Sequence, residues 1–140
     1  MPISNCPFKK LYDNDIDRAI LPIQIINPHT DLFVDTFGII DTGADECAVP
    51  ASIALPLGHK LLAGSIREIK TGNGITKAYS HTTIFKIFHP ESYKLLYTLP
   101  ETPIDFLPNL NVVLLGVKSF LNKFVLNIDY PKRVFSIKKP

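Results

Sequence analysis

Twelve prolines are distributed along the 140 residues, and they separate short runs of apolar and β-branched residues. Proline has no backbone N–H to donate and holds φ near one value, so it interrupts helices and favours turns and strand ends. Short β-branched runs bounded by turn residues are typical of strands. The sequence therefore predicts an all-β domain of short strands joined by turns.

Eight segments have the composition or alternation expected of strands. The two central ones flank Gly72-Asn73-Gly74, whose glycines tolerate positive φ, so they are expected to form a long hairpin. A proline-rich loop is predicted after Leu99, through Pro108. The predicted strands are Ala19–Ile26, Leu32–Ile40, Ser65–Lys70, Ile75–Phe88, Tyr93–Leu99, Leu110–Leu115, Val125–Asp129 and Val134–Ile137.

Helical signals are confined to two places. Pro50 suits the start of a helix, so a short one is expected near residues 51–55. Val117, Phe120, Leu121 and Phe124 have the spacing of one helical face, which predicts one short C-terminal helix with these side chains turned inward.

Length and composition favour one domain, predicted over residues 19–140, with residues 1–18 as an N-terminal extension. Apolar runs are too short to cross a membrane, and the N-terminus lacks the pattern of a secretory signal, so a cytoplasmic protein is expected. The net charge of +2 gives no reason to expect nucleic-acid binding. Cys6 and Cys47 are expected to be free thiols, and the four histidines lack metal-ligand spacing, so no metal or cofactor is predicted.

The tripeptide Asp41-Thr42-Gly43 follows the apolar segment Phe37–Ile40 directly. A carboxylate at the end of a strand can be both rigidly held and exposed, which catalysis requires. A second partial match, Asp35-Thr36-Phe37-Gly38, has a bulky Phe between Thr and Gly and is interpreted as ordinary strand. Asp41 is therefore the candidate catalytic residue.

With Ile39–Asp45 as a catalytic-loop pattern, the chain resembles the retropepsin-like family of single-domain aspartic proteases. The glycine-bearing hairpin at Thr71–Gly74 resembles the family's flap. Leu114-Leu115-Gly116 with the following apolar segment resembles the strand and helix beneath the active site. The resemblance covers roughly residues 20–137 and implies a closed β-barrel of the acid-protease type.

The resemblance also implies roles for individual residues. Asp41 would be catalytic, and Thr42 and Gly43 would support the loop. Substrate would contact the loop and the flap through Gly43, Ala44, Asp45, Gly72, Asn73, Gly74 and Ile75. The family often has Arg after the Gly at position 116, whereas Val117-Lys118-Ser119 stands here, so whether Lys118 replaces that Arg as a partner of Asp45 is left open.

Peptide hydrolysis by this route needs two carboxylates that share one proton, because one must activate water while the other protonates the substrate. The chain contains one Asp-Thr-Gly. The second carboxylate would have to come from an identical subunit, so a homodimer acting on a peptide or protein is expected. Two alternatives remain at this stage: a catalytically silent dimeric peptide-binding or scaffold domain, and a phosphate-handling fold, for which the chain is short.

Overall fold

The computed structural model describes residues 3–71 and 74–140, apart from the Thr71 side chain. Within these ranges the chain is mostly strand, as predicted. The strands are β1 (Ile3–Pro7), β2 (Ile20–Ile26), β3 (Phe33–Ile40), β4 (Ala48–Pro50), β5 (Ser65–Thr71), β6 (Gly74–Phe88), β7 (Leu95–Leu107), β8 (Val113–Leu115), β9 (Val125–Asp129) and β10 (Val134–Lys138).

The larger sheet has the strand order β2-β3-β8-β4-β7-β6-β5. An additional antiparallel pairing, in which Ile23 of β2 lies opposite Ile87 of β6, joins the two sides of the sheet. Six strands thereby close into the predicted β-barrel. Strand β5 stays outside the ring, paired to β6 alone as the free arm of the predicted hairpin.

A second, three-stranded sheet has the order β1-β10-β9. Strand β1 pairs antiparallel with β10, with Cys6 opposite Phe135. It lies in the segment that the sequence sets apart as an extension, yet Ile3 and Cys6 are fully buried. The two ends of the chain are thus joined through the same hydrophobic core.

Buried side chains from both sheets form one apolar cluster. The alternation of β-branched and aromatic residues produces it, because every second side chain of a strand points to the same face. The largest fully buried side chains include Phe85, Phe106, Phe120 and Phe135. Full burial of one such ring stabilises a fold by about 1.5–3 kcal/mol.

The predicted proline-rich loop is wrong, since β7 continues through Pro100 and Pro103 to Leu107. The register with β6 shifts between Thr83 and Phe85, opposite the stretch from Leu99 to Thr102. An irregularity of this kind accommodates a residue that cannot donate to the ladder. Strand β8 is also shorter than predicted, covering Val113–Leu115 of the apolar run.

The predicted C-terminal α-helix is reduced to a turn and one 3-10 turn at Leu121–Lys123. The inward orientation was predicted correctly, since Phe120 and Leu121 are buried. The backbone differs because Phe120 has φ −134° and packs against Tyr97 and Phe124, with ring centroids 5.9 and 5.1 Å away. So short a segment gains little from helix formation itself, and ring packing decides its conformation.

The other predicted helix is likewise a single 3-10 turn, Ala51–Ile53, with Pro50 as the residue before it. No helix in the described part of the chain has the length and apolar character needed to cross a membrane.

Candidate active site

Asp41 is the first residue after β3, in the middle of the barrel wall. Strand β3 pairs in parallel with β8, and Ile40 lies opposite Leu115. The Asp41 N–H continues this ladder by donating to the Leu115 carbonyl oxygen at 3.1 Å, and the Ile40 N–H donates to the Ala19 carbonyl at 3.0 Å. The backbone of the candidate catalytic residue is therefore held from both sides, while Thr42 and Gly43 beyond it are exposed.

The Asp41 carboxylate is oriented by its own loop. The Gly43 N–H donates to Oδ1 of Asp41 at 2.9 Å. The Ala44 N–H donates to the Asp41 carbonyl oxygen at 3.2 Å, closing a tight turn. The carboxylate is partly exposed, so one oxygen is fixed by a backbone donor while the group remains open to solvent.

The loop rests on the segment that follows β8. Carbonyl oxygens of Ala44 and Asp45 accept hydrogen bonds from the N–H groups of Val117 and Lys118, at 2.9 and 2.7 Å. A Cβ added at Gly116 would lie 2.4 Å from the Glu46 carbonyl oxygen, so only glycine permits this contact. The Leu-Leu-Gly landmark therefore lies directly beneath the Asp-Thr-Gly loop.

Cys47 is the buried residue at the end of this loop. Its Sγ accepts a hydrogen bond from the Gly116 N–H at 3.4 Å. Burial raises the pKa of the Cys47 thiol to about 11, which keeps it protonated near neutral pH. A thiol in this state is a poor nucleophile, and its role is packing.

A cavity with a volume of about 360 Å³ opens beside Asp41. Apolar side chains of Ile39, Ile40 and Leu114 line one side, and Ile16 and Arg18 from the N-terminal segment line another. Sequence reasoning missed these two residues, because no local pattern relates residues 16–18 to position 41. The contact arises from the barrel, in which the segment just before β2 runs alongside β3.

Asp15 and Arg18 stabilise the segment that lines this cavity. Arg18 donates from Nε to both Asp15 oxygens, at 3.1 and 3.0 Å. The Asp15 carboxylate also accepts the Ile16 N–H at 2.8 Å. The hydrogen bond from Arg18 is the main reason that the pKa of Asp15 lies below its usual value. The guanidinium of Arg18 is thereby held at the cavity edge.

Lys118 does not pair with Asp45 through its side chain. Its Nζ lies 4.0 Å from Oε1 of Glu46, and the side chain is largely exposed. The principal cation near this loop is Arg67 of β5, which bonds to Glu46 and to Asp105. The cation that bonds to this loop at Glu46 therefore comes from the hairpin, whereas the sequence suggested a cation only in the segment after Gly116.

The predicted flap residues are described in part. Gly74 begins β6 with φ +107°, and the Ile75 side chain is 65% exposed near the hairpin end. Gly72 and Asn73 lie outside the described residues. Asp35, the partial match, lies on β3 with an exposed side chain that accepts a hydrogen bond from Gln24, away from the loop.

Among residues 3–71 and 74–140, no group of three or more His, Cys, Asp and Glu side chains is arranged to hold a metal ion. The chemistry available at the loop is that of a carboxylate with backbone donors around it.

A scan against protein-family models finds no match, and a search of curated proteins finds no significant match. A search of solved structures finds a retropepsin-like aspartic protease from Rickettsia conorii, with 22% sequence identity and a TM-score of 0.57. The match covers 87% of this chain and 99% of that one. The chain therefore has the fold of a retropepsin-like aspartic protease.

Proposed function

We propose that this protein is an aspartic endopeptidase that works as a homodimer. The observation that carries the proposal is the Asp-Thr-Gly loop at the end of β3. Asp41 is fixed by the Gly43 N–H at 2.9 Å and is open to solvent, and the following residues of its loop, Ala44 and Glu46, pack against Gly116. The similarity of fold to a retropepsin-like aspartic protease supports the same assignment.

In the proposed reaction, Asp41 residues of two subunits hold one water molecule between them. Two like charges about 3 Å apart resist joint ionisation, so the pair shares one proton. The ionised carboxylate takes a proton from water while the water oxygen bonds to the carbonyl carbon of the scissile peptide, and the protonated carboxyl group gives its proton to the carbonyl oxygen. In the resulting tetrahedral gem-diol, the carboxyl group that took the proton from water passes it to the amide nitrogen and the C–N bond breaks. One hydroxyl of the gem-diol returns its proton to the other carboxylate, which releases the amine and the carboxylic acid and restores the pair.

Gly43 would support the loop because its N–H orients the Asp41 carboxylate, and the exposed Thr42 would support it by a hydrogen bond across the dimer interface. Substrate would lie between the loop, at Gly43, Ala44 and Asp45, and the hairpin, at Gly74 and Ile75 together with the tip residues. An extended peptide places successive side chains on opposite sides, and the cavity beside Asp41, with both apolar and charged lining residues, offers a volume for one of them.

A catalytically silent peptide-binding domain with the same fold is the second candidate. The Val117-Lys118-Ser119 segment, which departs from the family pattern, is the feature that favours it. Turnover distinguishes the two candidates, because both would bind peptides and both would form dimers.

The test is cleavage of a peptide library by the wild-type protein and by Asp41→Asn. We expect the substitution to lower kcat by at least about 10²–10⁴-fold, the contribution of a positioned acid–base group. Asp35→Asn is the matched control and should cleave normally, since Asp35 lies on an exposed strand face. Inhibition by pepstatin would support the assignment, and equal cleavage by wild type and Asp41→Asn would refute it.

A further inference from the structure

Strand β5 is the outer arm of the hairpin and pairs with β6 alone in the larger sheet. Strand β6 also pairs with β2, through residues 84–87, and with β7 along its other edge. Beyond this backbone pairing, the side chain of Arg67 in β5 bonds to Glu46 and to Asp105, which both lie outside the hairpin.

The register explains how Arg67 spans the sheet. Arg67 lies opposite Ala78 on β6, and Asp105 of β7 lies opposite Ser80, two residues further along β6. Residues at this spacing share one face of a sheet. Ala78 is fully buried and small, so no bulky side chain blocks the path of the guanidinium across β6.

Asp105 provides a fixed anchor. Its side chain is 9% exposed, and Arg67 donates to it through both Nε, at 3.2 Å to Oδ1, and a terminal nitrogen. A buried carboxylate requires such a partner, and a two-point guanidinium contact also fixes direction. The hydrogen bonds that Arg67 donates to Asp105 are the main cause of the raised pKa of Arg67.

Glu46 provides the second contact. It directly precedes the buried Cys47 at the end of the Asp41 loop, and its carboxylate bonds to the same terminal nitrogen of Arg67. Strand β4, which begins two residues later, lies beside β7 with Ala48 opposite Asp105. One guanidinium thus joins the hairpin, the barrel wall and the loop.

We propose that Arg67 is a positioning residue that ties the hairpin to the Asp41 loop through Glu46, with Asp105 as its anchor. The inference rests on the proposed function, because it assigns Arg67 the task of setting where the hairpin covers a bound peptide. Arg67 lies on β5 near the base of the hairpin. It would set the position of the hairpin indirectly, through its bond to Glu46 and through β5 itself.

Arg67 bonds to two carboxylates, Glu46 in the loop and Asp105 in the barrel wall, so substitutions can test its positioning role separately from its contribution to stability. Glu46→Gln removes the charge from the loop contact and leaves the Arg67–Asp105 pair intact. We expect KM for a cleaved peptide to rise about three- to fivefold, the magnitude of a partly exposed ion pair, with kcat and Tm close to wild type. Arg67→Met should raise KM at least as much and also lower Tm, because Asp105 loses its partner.

Two further variants sharpen this test. Arg67→Lys keeps the charge and loses the two-point contact, so it should restore KM only in part. Lys94→Met removes an exposed cation from the turn between β6 and β7 and should leave KM unchanged. In the Glu46→Gln background, Arg67→Met should add little to KM. An unchanged KM in Glu46→Gln, or an independent additive effect of Arg67→Met, would overturn the proposal.

Hydrogen exchange gives a readout that does not require turnover. In Glu46→Gln and Arg67→Met, amides of β5 and of residues 42–47 should exchange faster together, with β2 and β10 unaffected. If the wild-type protein cleaves no peptide, the proposed function fails while this linked exchange still supports the contact through Arg67. Unchanged exchange in both regions would refute the positioning role whether or not the protein is an enzyme.

Discussion

At Gly116 two backbone segments approach so closely that the identity of one residue decides whether they can pack. A Cβ there would lie 2.4 Å from the Glu46 carbonyl oxygen and 2.8 Å from that of Ala44. Both partners are backbone atoms of the Asp41 loop, so neither can swing aside as a long side chain would. This close approach explains why glycine follows Leu114-Leu115 in the sequence landmark.

Gly116→Ala is expected to destabilise the protein by about 1–3 kcal/mol, the cost of forcing an extra group into a packed site. Thermal or urea unfolding measures this cost. Ser119→Ala, in the turn that follows, is the control and should change stability by less than about 0.5 kcal/mol. A Gly116→Ala protein as stable as wild type would show that the loop and the Gly116 segment separate at little cost.

The base of the β5–β6 hairpin contains a pair of stacked histidines. The His59 and His81 rings lie 4.6 Å apart between centroids, and Phe106 meets both edge-on. Nε2 of His81 lies 2.9 Å from the Leu61 carbonyl oxygen. Nε2 of His59 is buried and, within the described residues, has no hydrogen-bond partner. The folded protein therefore disfavours a charged His59.

Burial, followed by repulsion from His81 and His29, lowers the pKa of His59. A lowered pKa means that the unfolded chain binds the proton more readily than the folded one. This contribution to stability is present above about pH 6.5, the usual histidine value, and is lost as pH falls below it toward the folded pKa. Acidification should loosen the hairpin base.

His59→Phe is expected to reduce the loss of stability between pH 7 and pH 5. Phe removes the titrating group and keeps an aromatic ring beside His81 and Phe106. The measurement is the urea midpoint at several pH values, compared with wild type and with His89→Gln, which lies in a different turn. Equal pH dependence in His59→Phe and wild type would show that His59 does not contribute.

Local patterns predicted the strands and hairpins of this chain well and its helices poorly. Alternation and turn residues are contained within each segment, so β2, β3 and the β5–β6 and β9–β10 hairpins are readable. The segment after Gly116 has helical spacing, but its conformation follows from aromatic packing with Tyr97 of β7. Contacts between distant elements leave no local signature, which is why this prediction failed.

At the scale of the whole molecule, the proposed function requires two Asp41 residues in one site, and mixing experiments test this requirement. When wild type and Asp41→Asn are mixed in equal amounts and exchange subunits freely, half of the wild-type subunits pair with a mutant. Activity per wild-type subunit should then fall to about half. Asp35→Asn is the control and should leave it unchanged. Full activity per wild-type subunit in the Asp41→Asn mixture would contradict a shared site.

The sequence by itself determined the β-rich class, the hairpin that carries Gly74, and the candidate carboxylate at the end of a strand, because each depends on spacing within a few residues. Tertiary structure decided the rest. It joined β1 to β10, continued β7 through two prolines, and brought Ile16 and Arg18 beside Asp41. It also linked Arg67 to Glu46. The pairings and side-chain contacts among them connect residues far apart in the chain, and only the packing of the two sheets brings these residues together.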